Sequence, residues 1–361
     1  MADYLEVKGK YGDCKIFTLY PDKTTYHQIV EIVNSPIAKN ANIRIMPDCH
    51  AGIGCVIGTT MLVTDKINPN VVGVDIGCGV YVAKFKRKKL DFDYIDNFIR
   101  ENIPSGRDVR KKTVNEEIAL ENLKCFSKLD SKTIKRGYLS VGTLGGGNHF
   151  IEISEDSEGY KYLLIHSGSR NIGKKVCEYY AKLMKKNGKN FIEGEELENY
   201  IHDMYLMVDY ASINRKVMSK TIIEECLKAD IIEEFQTIHN YIDRKRYLRK
   251  GAVSAQKGEK LIIPLNMRDG SLICIGKGNK EWNYSAPHGA GRILGRRESK
   301  RKLDLNEFKK VMKGIYTTCV SKKTIDEAPM AYKPLDMILP YLEDTVNIIN
   351  RIKPIYNFKG F

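Results

Sequence analysis

The chain has no apolar run long enough to cross a bilayer, no CxxC pair, no low-complexity linker and no internal repeat. The first absence excludes a membrane-spanning helix. The second, with an odd nine scattered cysteines and no signal-peptide pattern, argues against a disulfide scaffold and for a reducing, cytoplasmic setting. Without a repeat or a break in composition, residues 1–361 read as one continuous domain. At 361 residues the chain buries a full core without staples. Histidine is also sparse, at seven. His27 and His202 fall in helical stretches and read as ordinary surface or cap residues, whereas His50, His149, His166, His239 and His288 stand beside glycine, proline-aspartate or asparagine.

Acids are the minority charge. Lys and Arg number 59 against 45 Asp and Glu, for a net charge of +14, which suits a polyanionic partner. The stretch around which the chain is organised is VVGVDIGCGV, residues 71–80. Its valines and its glycines at 77 and 79 predict a buried strand breaking into a tight turn. Asp75 and Cys78 in such a run need a partner: backbone amides, an ion pair or a metal. A strand over 43–46 leads into MPDCHAGIGCVIG, which offers Asp48 and His50. VGTLGGGNHFIEI and YLLIHSGSR add Asn148, His149, Glu152 and His166 at strand ends, and SAPHGAGRILGRR adds His288 with Arg292, Arg296 and Arg297.

Between these blocks the pattern predicts a strand over 14–20 and a helix capped by Thr24 or Thr25 and running to about Val33. The lysine run after residue 83 reads as a solvated strand edge, followed by a helix over 91–102 that ends before Pro104. Residues 107–135 are charged and partly helical. One or two helices fill 195–229, with Leu197, Ile201, Met204, Val208 and Ala211 as a core stripe. Residues 258–279 read as two strands joined by a polar loop with Asn266, Arg268, Asp269 and Ser271. The last third reads as mostly helical, with a frayed tail.

Asp75, Cys78, His149, His166, His239 and His288 together make a metal-ligand set. Carboxylate and imidazole suit Mn, Fe or Zn, and one thiolate argues against a pure Mg or Ca site. A thiolate can also bridge two ions, which would clamp the attacking and leaving oxygens of a phosphoryl displacement.

The blocks MPDCHAGIG, GVDIGCGV, GTLGGGNHFIE, HSGSR, HN, PHGAGR and the terminal KG, spread from Asp48 to Gly360, resemble in their order the RtcB family of RNA ligases. The resemblance implies an α+β fold with central stacked β-sheets, helices outside, and the active site in a cleft where strand ends converge. It implies an RNA ligase of tRNA splicing or RNA repair. Such an enzyme joins a 2′,3′-cyclic phosphate or 3′-phosphate end to a 5′-hydroxyl end with GTP and two Mn²⁺ ions. Asp75, Cys78 and His149 would hold one ion, with Cys78 bridging to a second held by His166 and His239. His288 would be the nucleophile that carries GMP. Guanylate contacts would come from Asn148, His149, Phe150, Ile151, Glu152, His239, Asn240, Pro264, Leu265, Asn266, Met267, Ser271, His288, Gly289, Ala290, Gly291 and Lys359. Asp48 and His50 would orient groups from behind the metals. A lysine bound there also gives the C-terminal tail a reason to be ordered.

The chain departs from the family pattern at Leu265 and Asn266, where a glycine-serine pair is common, and at Gly295, where a serine is. Either change bears on nucleotide or RNA-end preference. Phe361 extends the usual terminus by one residue. RNA is the partner the resemblance implies, with an archease-like activator as a further candidate and a monomer as the expected state. Two other readings share the motifs: a metal phosphoesterase acting on RNA ends, and a catalytically idle RNA-binding protein.

Overall fold

Runs rich in β-branched and aromatic residues, GVYVAKF, KYLLIHS and FIEISE, build the middle of a seven-stranded antiparallel sheet. The computed structural model describes residues 3–18 and 20–360. The sheet runs, in spatial order, Ile231–Ile238, Gly79–Phe85, Lys161–Ser167, Phe150–Glu155, Val346–Lys359, Gly270–Gly276 and Lys260–Asn266. It twists until its two edge strands meet: the Ile262 amide donates to Thr237 Oγ1 at 3.0 Å, and Lys260 pairs with Glu233. That curl covers edges that would otherwise stay unpaired.

A second, six-stranded sheet runs Leu5–Lys8, Asp13–Ile16, Ile43–His50, Ile57–Leu62, Tyr247–Lys250 and Asn240–Ile242. Helix Gly194–Lys220 packs against strands of both sheets; its Leu197, Ile201, Met204 and Ala211 are buried, while Val208 of the same stripe is half-buried. Its last turn passes into the π-helical segment Thr221–Leu227. The result is the α+β architecture expected. None of the helices among the described residues is long and apolar enough to cross a membrane.

Several local expectations need correction. The strand near the start covers Asp13–Ile16 only, and Leu19 lies outside the described residues. The first helix, Lys23–Val33, is capped by Asp22, whose Oδ1 accepts from the Thr24 and Thr25 amides at 2.9 and 3.0 Å. Within 71–80 the order is reversed: Pro69–Val72 is a short helix, the turn follows, and the strand begins at Gly79. That strand is interior to the sheet, and the lysines after Phe85 lie beyond its end. The tail is ordered, as a bound Lys359 implies, but as the 14-residue strand Val346–Lys359 rather than a helix. Its first half pairs with Gly270–Gly276 and its second half with Phe150–Glu155. Phe361 lies outside the described residues.

Candidate metal centre and nucleotide cleft

The turn after Pro69–Val72 is shaped by what presses on it. Gly77 has φ +70°, and a Cβ there would lie 2.8 Å from the Val208 Cα of the long helix. Glycine alone fits both the conformation and the approach. The turn is tied to the second sheet by the Gly77 amide donating to Asn240 O at 2.8 Å and by the His239 amide donating to Cys78 O at 2.9 Å. Strand register then delivers the rest. His166 stands opposite both Val80 and Phe150, next to His149 at the start of its own strand.

These segments converge on one point. Cys78 Sγ lies 3.2 Å from His166 Nε2 and 3.6 Å from His149 Nε2. His149 Nε2 is 3.2 Å from Asp75 Oδ2, and His166 Nε2 is 3.3 Å from His239 Nε2. Two triads result, Asp75–Cys78–His149 and Cys78–His166–His239, each with ligand atoms within 4.8 Å and with Cys78 common to both. Gly168 keeps the space open, since a Cβ there would fall 2.0 Å from Asp75 Oδ1.

The imidazoles are oriented from behind. His149 Nδ1 donates to Leu144 O at 2.9 Å and His166 Nδ1 to Asn148 O at 3.2 Å, which turns both Nε2 atoms inward. Burial pushes His166 down to about 3 and His239 well below the usual histidine range, so both are neutral and able to ligate. Asp75 is held below the usual carboxylate range: burial opposes its charge, but the His149 hydrogen bond and charge outweigh that. Burial, followed by the Asp75 charge, raises the Cys78 thiol. Neutral His166 and His239, an ionised carboxylate and a thiol that needs a counter-charge to ionise fit a borderline divalent cation, and the shared sulfur fits two.

The triads open onto a cleft of about 450 Å³. Its wall carries His288, whose Nδ1 donates to Asp48 Oδ2 at 2.7 Å. The same oxygen accepts from the His288 and Gly289 amides at 3.1 and 3.3 Å. Asp48 is fully buried. This fixes the imidazole with Nε2 as its free nitrogen, its ring centroid 5.1 Å from that of His239. Asp48 therefore stands behind His288 rather than behind the triads. His50 also lines the cleft, with Nδ1 3.2 Å from Asp48 O, and burial lowers it to about 4.

Of the other expected contacts, Asn148, Phe150, Glu152, Asn240, Pro264, Leu265, Asn266, Met267, Ser271, Gly289, Ala290, Gly291 and Lys359 line the cleft. Ile151 does not. It sits between Phe150 and Glu152 on a strand of period two and packs in the core. Asn266 spends its side chain on its own turn, donating to Asp269 Oδ2 at 2.7 Å and accepting from the Arg268 and Asp269 amides. Gly295 and Arg292 line the cleft as well.

Glu327, Tyr332 and Asn357 are cleft residues that sequence patterns missed. Glu327 is buried and accepts from Lys359 Nζ at 3.0 Å, Tyr332 Oη at 2.8 Å and Arg296 Nη1 at 2.6 Å. Burial opposes its charge, yet Lys359, Arg296 and Arg292 bring it down to about 2. Asn357 lies opposite Glu152 in register and donates to its Oε2 at 2.9 Å. Its spacing of two from Lys359 was a usable signal, had the tail been read as a strand. Glu327 sits in a single 3₁₀ turn, Ile325–Glu327, with no signal of its own.

Comparison with known proteins bears on this site. The family model described as tRNA-splicing ligase RtcB matches residues 28–360. The RNA-splicing ligase RtcB of Escherichia coli (strain K12) is 29% identical over 369 residues, covering 88% of this chain and 90% of its own. The tRNA-splicing ligase RtcB of Methanococcus maripaludis is 27% identical over 464 residues, covering 97% and 96%. That of Aeropyrum pernix is 27% identical over 423 residues, covering 88% and 87%.

Proposed function

The chain belongs to the RtcB family, and from that premise we propose that residues 1–361 act as a single GTP- and Mn²⁺-dependent RNA ligase domain. It joins a 3′-phosphate or 2′,3′-cyclic phosphate end to a 5′-hydroxyl end, in tRNA splicing or RNA repair. Asp75, Cys78 and His149 would hold one ion, and Cys78, His166 and His239 the other. Bound ions supply charge neutralisation and in-line orientation for a phosphate in the cleft.

His288 Nε2 attacks the α-phosphorus of GTP, forming a P–N bond as the P–O bond to pyrophosphate breaks. Nδ1–H stays on Asp48, which steadies the positive charge the ring gains. The RNA 3′-phosphate then attacks the same phosphorus, freeing His288 and leaving an activated end. Attack by the 5′-hydroxyl forms the phosphodiester and releases GMP. A cyclic phosphate is first opened by water. Phe150 and Glu152 on one wall, with Lys359, provide an apolar face, an acceptor and a donor for a purine base. Leu265 and Asn266 also line the cleft. An archease-like activating protein and a monomeric state belong to the same proposal.

The observation that carries this reading is the His288–Asp48 pair beside the Cys78–His166–His239 triad. A hydrolase that only opened cyclic phosphates needs neither a nucleophilic histidine nor a guanine-binding wall beside it. The test is incubation of metal-stripped protein with α-labelled GTP or ATP, with and without Mn²⁺, for wild type and His288→Ala. Acid-labile label from GTP that requires Mn²⁺ and His288 supports the ligase. No covalent label on folded, metal-loaded protein moves the phosphoesterase to first place, and label from ATP alone overturns the nucleotide assignment.

A further inference from the structure

The buried stripe of helix Gly194–Lys220 continues past Ala211 by the helical repeat of three and four into Asn214 and Arg215, both fully buried. Polar residues on a core face need partners, and theirs all lie on the segments that carry the metal triads. Arg215 Nη1 donates to Gly77 O at 2.8 Å and to Ser167 O at 2.6 Å, the carbonyls adjoining Cys78 and His166. Its Nε donates to Gln236 Oε1 at 2.9 Å, three residues before His239. Asn214 Oδ1 accepts from the Gly142 and Thr143 amides at 2.8 and 3.0 Å. Asn214 Nδ2 donates to Ser167 Oγ at 3.1 Å and Gly168 O at 3.3 Å.

A relay completes the set. Ser167 Oγ donates to Leu144 O at 2.8 Å, and that carbonyl is also the acceptor for His149 Nδ1. One helix turn thus reaches the segments bearing Cys78, His149, His166 and His239. Among the described residues Arg215 has no carboxylate as a hydrogen-bond partner, and its Nη2 has no hydrogen-bond partner. A group buried purely for stability would be better satisfied.

We infer that Asn214 and Arg215 are positioning residues that set the relative placement of the two triads, and so the separation of the two ions. The inference rests on the reading of those triads as a metal pair. Lysine at 215 keeps the charge but, with a single ammonium, cannot reproduce the guanidinium's planar fork across Gly77, Ser167 and Gln236. Ser167→Ala removes one oxygen and breaks the relay to His149.

The test uses the full chain stripped of metal and titrated with Mn²⁺ alone, read by equilibrium dialysis and electron paramagnetic resonance. Wild type should bind two ions with an exchange-coupled signal. Arg215→Lys and Ser167→Ala should bind Mn²⁺ about 10- to 100-fold more weakly and show the signal of isolated ions. Lower melting of the metal-free variants with unchanged affinity and coupling would mean a merely structural role and overturns the inference. Should Arg215→Lys fail to fold, Ser167→Ala alone decides between the same two results. Wild type that binds fewer than two ions overturns the metal reading itself, a failure distinct from that of the clamp.

Discussion

Asp48 Oδ2 receives three hydrogen bonds from the His288 segment, one of them the ring Nδ1 at 2.7 Å, while Asp48 Oδ1 is buried with no partner. A carboxylate committed so completely to one side decides which imidazole nitrogen is free. Asp48→Asn keeps the shape, and its amide oxygen can still accept from Nδ1 and the two backbone amides, but it removes the negative charge that steadies the ring as it turns cationic. Covalent labelling from GTP should slow by about 10²- to 10⁴-fold, with GTP affinity little changed. Single-turnover labelling rates check this, and a wild-type rate in Asp48→Asn would remove Asp48 from the mechanism.

Because Cys78 belongs to both triads and His239 to one, their loss should differ in kind. His239→Ala should leave one Mn²⁺ bound per chain, whereas Cys78→Ala should weaken both sites. Cys78→Ser should fall between, since an alcohol is a poor substitute for a bridging thiolate. Metal content after dialysis distinguishes the variants, and equal stoichiometry in His239→Ala and Cys78→Ala would show that the sulfur does not bridge.

What the sequence disclosed follows from how local each signal is. Asp75, Cys78, His149 and His166 announce themselves because acids, thiols and imidazoles are out of place among glycines and valines. The Asp48–His288 bond joins residues 240 apart in the chain, and no periodicity pairs them. The tail hid its strand for a physical reason: Asn347, Asn350, Arg351, Lys353 and Asn357 interrupt its apolar residues, and only pairing of its two halves with two different neighbours makes it a strand. Asn214 and Arg215 were hidden by the same logic, as polar residues that continue an apolar stripe whose partners are unknown until the fold brings them near.

Glu327 gathers Lys359, Arg292, Arg296 and Tyr332 around one buried carboxylate. Glu327→Gln leaves Lys359 and Arg292 without their counter-charge, while Arg296 keeps Asp326 at 2.7 Å, and should cost about 3–5 kcal/mol of stability. Lys359→Met should cost less, because Glu327 keeps both arginines, yet should raise the GTP concentration needed for labelling. Glu327 is lowered to about 2 from 4.5. Its contribution is therefore present above about pH 4.5 and lost as pH falls towards 2, where wild type and Glu327→Gln should converge. Denaturant titrations across that range, with GTP labelling at neutral pH, check both parts. Unchanged GTP dependence in Lys359→Met would separate the tail from the nucleotide.

Glu152 shifts the opposite way. Burial raises it from 4.5 to about 7 against the pull of Ser154, Asn357 and Lys359. In this range the folded state binds more protons than the unfolded one. Stability from this group is therefore full below pH 4.5, falls as pH rises and levels off above about 7, a loss of about 3 kcal/mol. Glu152→Gln removes the titration without removing the hydrogen bonds. Asn357 Oδ1 is buried with no partner, so a flip of that amide lets it accept from the new side-chain NH₂ while Ser154 still donates to the oxygen. The variant should match wild type near pH 5 and exceed it at pH 8, with a flatter profile between. Bound GTP should close the gap at pH 8 for wild type only, because the guanine N1–H and amino group would donate to the ionised carboxylate. Denaturation curves at pH 5, 6, 7 and 8 decide the matter, and parallel profiles for the two proteins would show that Glu152 is ionised throughout.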